Sequence, residues 1–422
     1  MKKINLIAIF LFSGCFSFLN AQTAQGCDGK RYLLDVFTES VVNTTAYGYT
    51  TFSGKPDTLL ADIYQPKGDT VKKRPLLILA FGGGFIYGTR YDNYMIALCK
   101  AFNKKGYVCA SIDYRIYDIN LNGIPQDSAA IAPTIVQAQQ DMRAAVRFFK
   151  KDAATANIYS IDTNNIIVGG LSAGAVTAMN VGYISDTTTN IPSWLAKVIA
   201  GQGGVEGNSG NPGYSSKVKG VMSMSGGLYR KEFMNKNSVP FVAYHGTADA
   251  TVPYAAGFTG IYTLSMDGDK ACADYALTLN VPAVILSVPG GGHSDIYDPN
   301  GKFAANLAKW NVVAPTFLKQ LVCGEKINIS TPVEEVGVDF KIVISPNPSQ
   351  DFINLNIQNT SVNSQNYVAE VFDVSGKFLK KYTLTNAVSL QINKNEVGTG
   401  LFFVRITDNS GGSLIKKIVF TD

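Results

Sequence analysis

Gly170-Leu171-Ser172-Ala173-Gly174 sets a serine between two glycines in a Gly-x-Ser-x-Gly spacing. That spacing suits a nucleophile presented on a sharp turn between a strand and a helix. The glycines let the two elements close on each other without a Cβ clash, and the serine hydroxyl is left exposed above the turn. A serine alone is a weak nucleophile and needs a base. The chain holds two histidines, His245 and His293. His293 lies in Pro289-Gly290-Gly291-Gly292-His293-Ser294-Asp295, and His245 opens His245-Gly246-Thr247-Ala248-Asp249. Ser172 as nucleophile, His293 as general base and acid, and Asp249 as the carboxylate that orients the imidazole make a complete relay for acyl transfer. His245 stands four residues before Asp249 and is expected to hydrogen-bond locally and shape that loop. Asp295, two residues from His293, is too close in sequence to turn its ring. A fourth element is Phe81-Gly82-Gly83-Gly84-Phe85. The N–H groups of Gly83 and Gly84, with that of Ala173, are expected to form an oxyanion hole, each such donor lowering a barrier by about 3 kcal/mol.

These segments need strands to carry them. Pro75 to Ala80, Ile166 to Gly169, Pro240 to Tyr244 and Ala283 to Val288 are short apolar runs, each ending just before one of the chemical residues. Ala175 to Met179 reads as the start of the helix behind the serine. Chemistry gathered at the carboxyl ends of successive buried strands predicts an α/β fold with a doubly wound, mostly parallel sheet. The stretch from Ser185 to Ser216, rich in Thr, Asn, Gly and Ser, is read either as a lid or as a loop packed on the domain. Tyr87, Tyr91 and Tyr94 are read either as a rim to the site or as helix packing.

The order Ser172, Asp249, His293 and the glycine loop at 82–84 resemble the serine carboxylesterases of the α/β-hydrolase superfamily, in the branch with an HGGG-type oxyanion loop. The resemblance runs from about Tyr32 to Cys323. It includes Leu59 to Pro66 as an early strand, Ser111 to Arg115 as the strand after the first helix, and Asp141 to Arg147 in the helix before the elbow. It implies carboxylic ester hydrolysis through an acyl-enzyme, with no cofactor and no metal. Acyl esters of polysaccharides or other small or polymeric esters are the implied substrates. A serine peptidase or lipase of the same fold is the alternative, and a secreted binding protein with a dead site is the alternative of another class. Phe81 stands where the family has a loop-shaping histidine.

Met1-Lys2-Lys3, the apolar run from Leu6 to Leu19 and the Ala21 site read as a signal peptide over residues 1–21; Ser13-Gly14-Cys15 offers lipidation as a second reading. That apolar run is too short for a comfortable membrane span, and no later segment is long enough for an integral one. A net charge of +5 over 422 residues points to neither nucleic acid nor an anionic membrane as partner. Beyond the signal peptide stand Cys27, Cys99, Cys109, Cys272 and Cys323. Cys109 is expected to be a buried thiol, and Cys27–Cys99 with Cys272–Cys323 is the preferred pairing of the other four. No spacing among them suits a metal.

The catalytic domain is placed at 22–323 and a linker at 324–338. Residues 339–422 alternate apolar and polar at 352–357, 367–373, 378–384 and 401–407, with turns at Ser375-Gly376 and Ser410-Gly411-Gly412. That predicts a small all-β sandwich without helix. Ile344-Ser345-Pro346-Asn347-Pro348, Asp373 to Lys377, Gly400 to Arg405 and Lys416 to Val419 resemble the C-terminal sorting domain of the type IX secretion system. The resemblance implies that machinery as a partner, with export across the outer membrane to the medium or cell surface. A carbohydrate-binding or adhesive sandwich is the competing reading, and sugar binding is weakened because Trp194 and Trp310 lie outside the domain.

Overall fold

The computed structural model describes residues 25–327, 340–359, 366–373, 378–385, 389–408 and 413–421. The expected signal peptide, Cys15, most of the expected linker and the turns at 375–376 and 410–412 lie outside the described residues.

Eight strands form the main sheet. They are β1 (Ser40–Phe52), β2 (Lys55–Pro66), β3 (Arg74–Ala80), β4 (Val108–Ile112), β5 (Ile161–Leu171), β6 (Gly220–Met224), β8 (Phe241–Gly246) and β11 (Ala283–Val288), in the order β1-β2-β4-β3-β5-β6-β8-β11. β1 and β2 are an antiparallel hairpin; β4, β3 and β5 run parallel, as do β8 and β11. Between β6 and β11, β7 (Gly227–Leu228), β9 (Ala256–Phe258) and β10 (Ser265–Gly268) make a small antiparallel sheet. The helices are α1 (Asn93–Lys104), α2 (Ile119–Asn122), α3 (Ser128–Ala154), α4 (Ala173–Tyr183), α5 (Ser193–Gly201), α6 (Asp269–Thr278) and α7 (Ala304–Val322). Every residue of β3 is buried, which is why it is a continuous apolar run from Pro75 to Ala80 and does not alternate.

The chain divides into two compact units. One holds residues 1–223, 237–240 and 315–327, and the other holds 224–236, 241–314 and 328–422. In the first, α3 supplies an unusual set of buried polar side chains, among them Gln140, Asp141, Arg143 and Arg147. They hold down the insertion that follows α4. Arg115 grips Asp141 through two nitrogens (2.9 and 2.7 Å) and reaches the Ser209 hydroxyl at 2.9 Å, and that hydroxyl donates to Asp141 at 2.6 Å. Gln140 donates to the Gly204 carbonyl at 2.7 Å, Arg147 pairs with Glu206 at 2.5 Å, and Asn211 donates to the Tyr47 carbonyl of β1 at 2.7 Å. Of the two readings of 185–216, these anchors favour the packed loop: buried charges held by several partners are costly to separate. The strand expected to run to Arg115 stops at Ile112, because the next three side chains leave it for other partners. Asp113 pairs with Arg90, Tyr114 stacks under Phe81, and Arg115 turns to Asp141.

The preferred cysteine pairing is wrong. Cys27 bonds Cys323, and Cys99, Cys109 and Cys272 are buried free thiols. Cys99 faces inward from α1 and Cys272 from α6, where burial pushes each thiol well above its ordinary range.

The C-terminal strands are β12 (Phe340–Ser345), β13 (Phe352–Asn359), β14 (Asn366–Asp373), β15 (Phe378–Thr385), β16 (Ser389–Asn393), β17 (Gly400–Asp408) and β18 (Ser413–Phe420). They form antiparallel sheets ordered β12-β13-β16 and β15-β14-β17-β18. Period-two burial builds one core from both: Ile353, Leu355 and Ile357 of β13, Tyr367, Ala369 and Val371 of β14, and Phe402, Val404 and Ile406 of β17. Each fully buried Ile or Leu here contributes about 1.5–3 kcal/mol. One departure from the all-strand expectation is α8 (Lys394–Val397), a single turn closed by a capping box between Asn393 and Glu396.

Candidate active site

Ser172 follows the last residue of β5 and caps α4 with φ 52° and ψ −117°. That backbone is unfavourable for a residue with a Cβ, by about 1–3 kcal/mol, and persists only where its surroundings impose it. Here they do. A Cβ on Gly174 would stand 2.0 Å from the Ala80 carbonyl oxygen at the end of β3, so the first turn of α4 lies directly on the neighbouring strand. Gly174→Ala is therefore expected to lower stability by about 3 kcal/mol, the cost of overpacking a site that cannot yield. Gly201→Ala is its control, since a Cβ there meets nothing within 4 Å. Denaturant unfolding of the two variants checks the contrast.

The glycine loop lies against the same turn. A Cβ on Gly82 would be 3.3 Å from the Ser172 Cβ. Gly83 has φ 117°, its carbonyl accepts from the N–H of Ile86 and Tyr87, and a Cβ there would strike the Tyr87 carbonyl at 2.1 Å. Gly84 follows with φ 59°. Ala173 is the first residue of α4, so its N–H has no acceptor inside the helix. Phe81 sits in the core at 3 % exposure, stacked on Tyr114 with ring centroids 4.2 Å apart, while the Tyr114 hydroxyl donates to the Phe81 carbonyl at 2.8 Å. The loop shape is thus held by an aromatic stack. Tyr87 and Tyr91, on the segment just beyond, are 66 % and 57 % exposed, which suits a rim more than helix packing.

Asp249 and His293 meet in the second unit. His293 Nδ1 is 2.7 Å from Asp249 Oδ2. The other carboxylate oxygen accepts from the N–H of Thr251 (2.8 Å) and Val252 (2.9 Å). Burial would raise the acid's pKa, but hydrogen bonds from His245 and His293 hold the Asp249 carboxyl well below the usual range, so it is ionised at neutral pH. The glycines before His293 allow the close approach their number implies: a Cβ on Gly246 of β8 would be 2.3 Å from the Gly291 carbonyl. Asp295 turns back to accept from the Gly292 N–H at 2.8 Å. His245 is fully buried and packs behind Asp249, with Nε2 3.3 Å from its Oδ2 and Nδ1 3.0 Å from Asp269 Oδ2. Sequence reasoning passed over Asp269. Its one signal is an acidic residue at the start of an amphipathic run, where a helix N-terminus favours a carboxylate.

A strained serine on a strand–helix turn and a carboxylate-bound imidazole are the parts of an acyl-transfer enzyme. Residues 61–228, from β2 through the glycine loop and the elbow to β7, match the BD-FAE family. The chain is a carboxylic ester hydrolase of the α/β-hydrolase fold that carries a BD-FAE-like domain. Residues 343–421 match the secretion system C-terminal sorting domain, so the esterase is exported across the outer membrane. Among the described residues, no helix is long and apolar enough to cross a membrane. Similar solved structures include Thermogutta terrifontis esterase 2 phosphorylated by paraoxon and the same protein phosphonylated by cyclosarin. Each is 18 % identical with a TM-score of 0.50, covering 68 % of the esterase and 96 % of the relative. The sarin-phosphonylated form is 16 % identical, with a TM-score of 0.50 over 68 % of the esterase and 97 % of the relative. At that identity the likeness concerns the fold. No curated protein matches.

Proposed function

We propose that the esterase cleaves acyl esters of polysaccharides by a two-step transfer through Ser172. His293 takes the Ser172 proton as the oxygen attacks the ester carbonyl, and the new oxyanion is held by the N–H groups of Ala173, Gly83 and Gly84. The carbonyl re-forms, the bond to the alcohol breaks, and His293 gives the leaving oxygen its proton. Water then repeats the sequence on the acyl-serine, freeing the acid and returning the proton to Ser172. Asp249 orients the ring and stabilises the transient imidazolium.

The observation that carries this reading is the 2.7 Å contact from His293 Nδ1 to an ionised, buried Asp249. With Nδ1 donating, the neutral ring keeps its lone pair on Nε2, the tautomer a general base requires. The polysaccharide assignment draws support from the BD-FAE match, from export, and from Tyr87 and Tyr91, whose exposed rings offer a stacking face for a sugar or phenolic group beside the glycine loop. The test is a hydrolysis panel of nitrophenyl esters from acetate to palmitate with acetyl-xylan and methyl ferulate. Turnover of short-chain esters together with acetyl-xylan or methyl ferulate is the expected result. Turnover confined to long-chain esters or to peptide amides would replace the assignment by a lipase or a peptidase.

A further inference from the structure

The second histidine has no place in the two-step reaction, yet it is the more deeply held of the two. His245 is the fifth residue of β8, in parallel register with Ser287 of β11, and is fully buried. Both of its ring nitrogens face oxygen acceptors. Nδ1 lies 3.0 Å from Asp269 Oδ2, and Nε2 lies 3.1 Å from the Val252 carbonyl and 3.3 Å from Asp249 Oδ2. A neutral imidazole carries one N–H and one lone pair, so in either tautomer a lone pair would point at a carboxylate or a carbonyl. Only the doubly protonated ring donates at both ends.

We propose that His245 is a standing imidazolium wedged between Asp249 and Asp269, and that it acts as a positioning residue setting the charge that Asp249 presents to His293. Asp269 anchors the wedge. It is the first residue of α6, its Oδ2 also accepts the Gly226 N–H at 2.9 Å, and it is fully buried. Two further titratable groups stand near it: Tyr254, edge-on at 5.7 Å between centroids with its hydroxyl on Ser287, and the buried Cys272 thiol of α6, which feels the Asp269 charge. Burial alone would push the His245 ring down, but the hydrogen bonds and charges of Asp249 and Asp269 outweigh it and raise the ring to about 9. The ring therefore keeps its charge through the neutral range, in which a catalytic histidine must release and recover a proton.

Charge counting gives the consequence. Asp249, His245 and Asp269 together carry one negative charge. Removing the imidazolium leaves two, and His293 then holds its proton more tightly. Removing the Asp269 charge leaves none, and His293 holds its proton less tightly. This rests on the roles proposed above for His293 and Asp249. In the pH profile of kcat/KM, His245→Gln is expected to move the acid limb up and Asp269→Asn to move it down, each by about one pH unit. Limbs that stay still, or move in the same direction, overturn the proposal, because a merely structural loss lowers the plateau without opposed shifts. A second measurement needs no core variant. The chain has two histidines, so the ring nitrogen spectrum of the wild-type protein is assigned by comparison with His293→Gln. At pH 7.5 the His245 ring is expected to show the imidazolium pattern, and a neutral-tautomer pattern sinks the idea. This spectrum is independent of turnover. If Ser172→Ala stays active while the imidazolium pattern is present, the catalytic reading fails and the wedge stands.

Discussion

Ser172→Ala is expected to lower kcat/KM for nitrophenyl acetate by at least a thousandfold, about 4 kcal/mol of transition-state stabilisation, with no loss of thermal stability. The two halves of that expectation have separate causes. The hydroxyl is the atom to which the acyl group is transferred, so its removal leaves only the oxyanion donors and substrate binding to act, and these sustain a small residual rate. Stability is untouched because alanine keeps the Cβ that makes φ 52° unfavourable. Ser172→Gly separates the two effects further: it is equally inactive but should be more stable by about 1 kcal/mol, since glycine adopts that backbone without penalty. Turnover and thermal unfolding measured on the same preparations decide the matter. An alanine variant retaining more than about a thousandth of the activity would remove Ser172 from the nucleophile's role.

Cys27→Ser is expected to destabilise the catalytic domain by about 5 kcal/mol, roughly a 10 °C fall in midpoint. The size comes from the 296-residue separation that the Cys27–Cys323 bond closes, since the entropy removed from the unfolded chain grows with the loop. Local detachment is not the mechanism. The segment after Cys27 has its own hold: Tyr32 is fully buried with its N–H on the Lys105 carbonyl, and the N–H groups of Val36 and Phe37 both reach the Lys104 carbonyl. Cys323→Ser and reduction of the wild-type protein should give the same loss. An unchanged midpoint with the bond demonstrably broken would show that the unfolded chain is already compact enough to make the link redundant.

What could be read from the sequence was whatever short-range pattern determines. β11 begins at Ala283 and ends at Val288, as its apolar run implies, and the elbow follows from five residues between a strand and a helix. The meeting of Asp249 with His293 was legible because each lies in the loop just past an apolar strand, and β8 and β11 pair in parallel. The disulfide was not, because pairing depends on where residues 27 and 323 stand in space, which no local pattern records. α3 was legible over seven residues and is in fact 27 residues long. Its buried Gln140, Asp141, Arg143 and Arg147 carry no local pattern that marks them as interior, because the loop they bind lies about 60 residues further on. Asp269 was hidden for a related reason: its partner His245 belongs to a different strand–loop segment, 24 residues earlier. Three strands of the sandwich escaped notice, β12, β16 and β18. β16 is only five residues long, and β18 keeps its apolar members beside two consecutive lysines.

The bond between Cys27 and Cys323 makes the intervening polypeptide a covalent ring. A protease that cuts once anywhere inside that ring produces no separate fragment: both pieces travel as one molecule until the bond is reduced. A cut between residues 327 and 340, by contrast, breaks the backbone link to the sandwich and leaves the ring closed. An exported enzyme thereby keeps its serine and histidine segments on one molecule after a first nick.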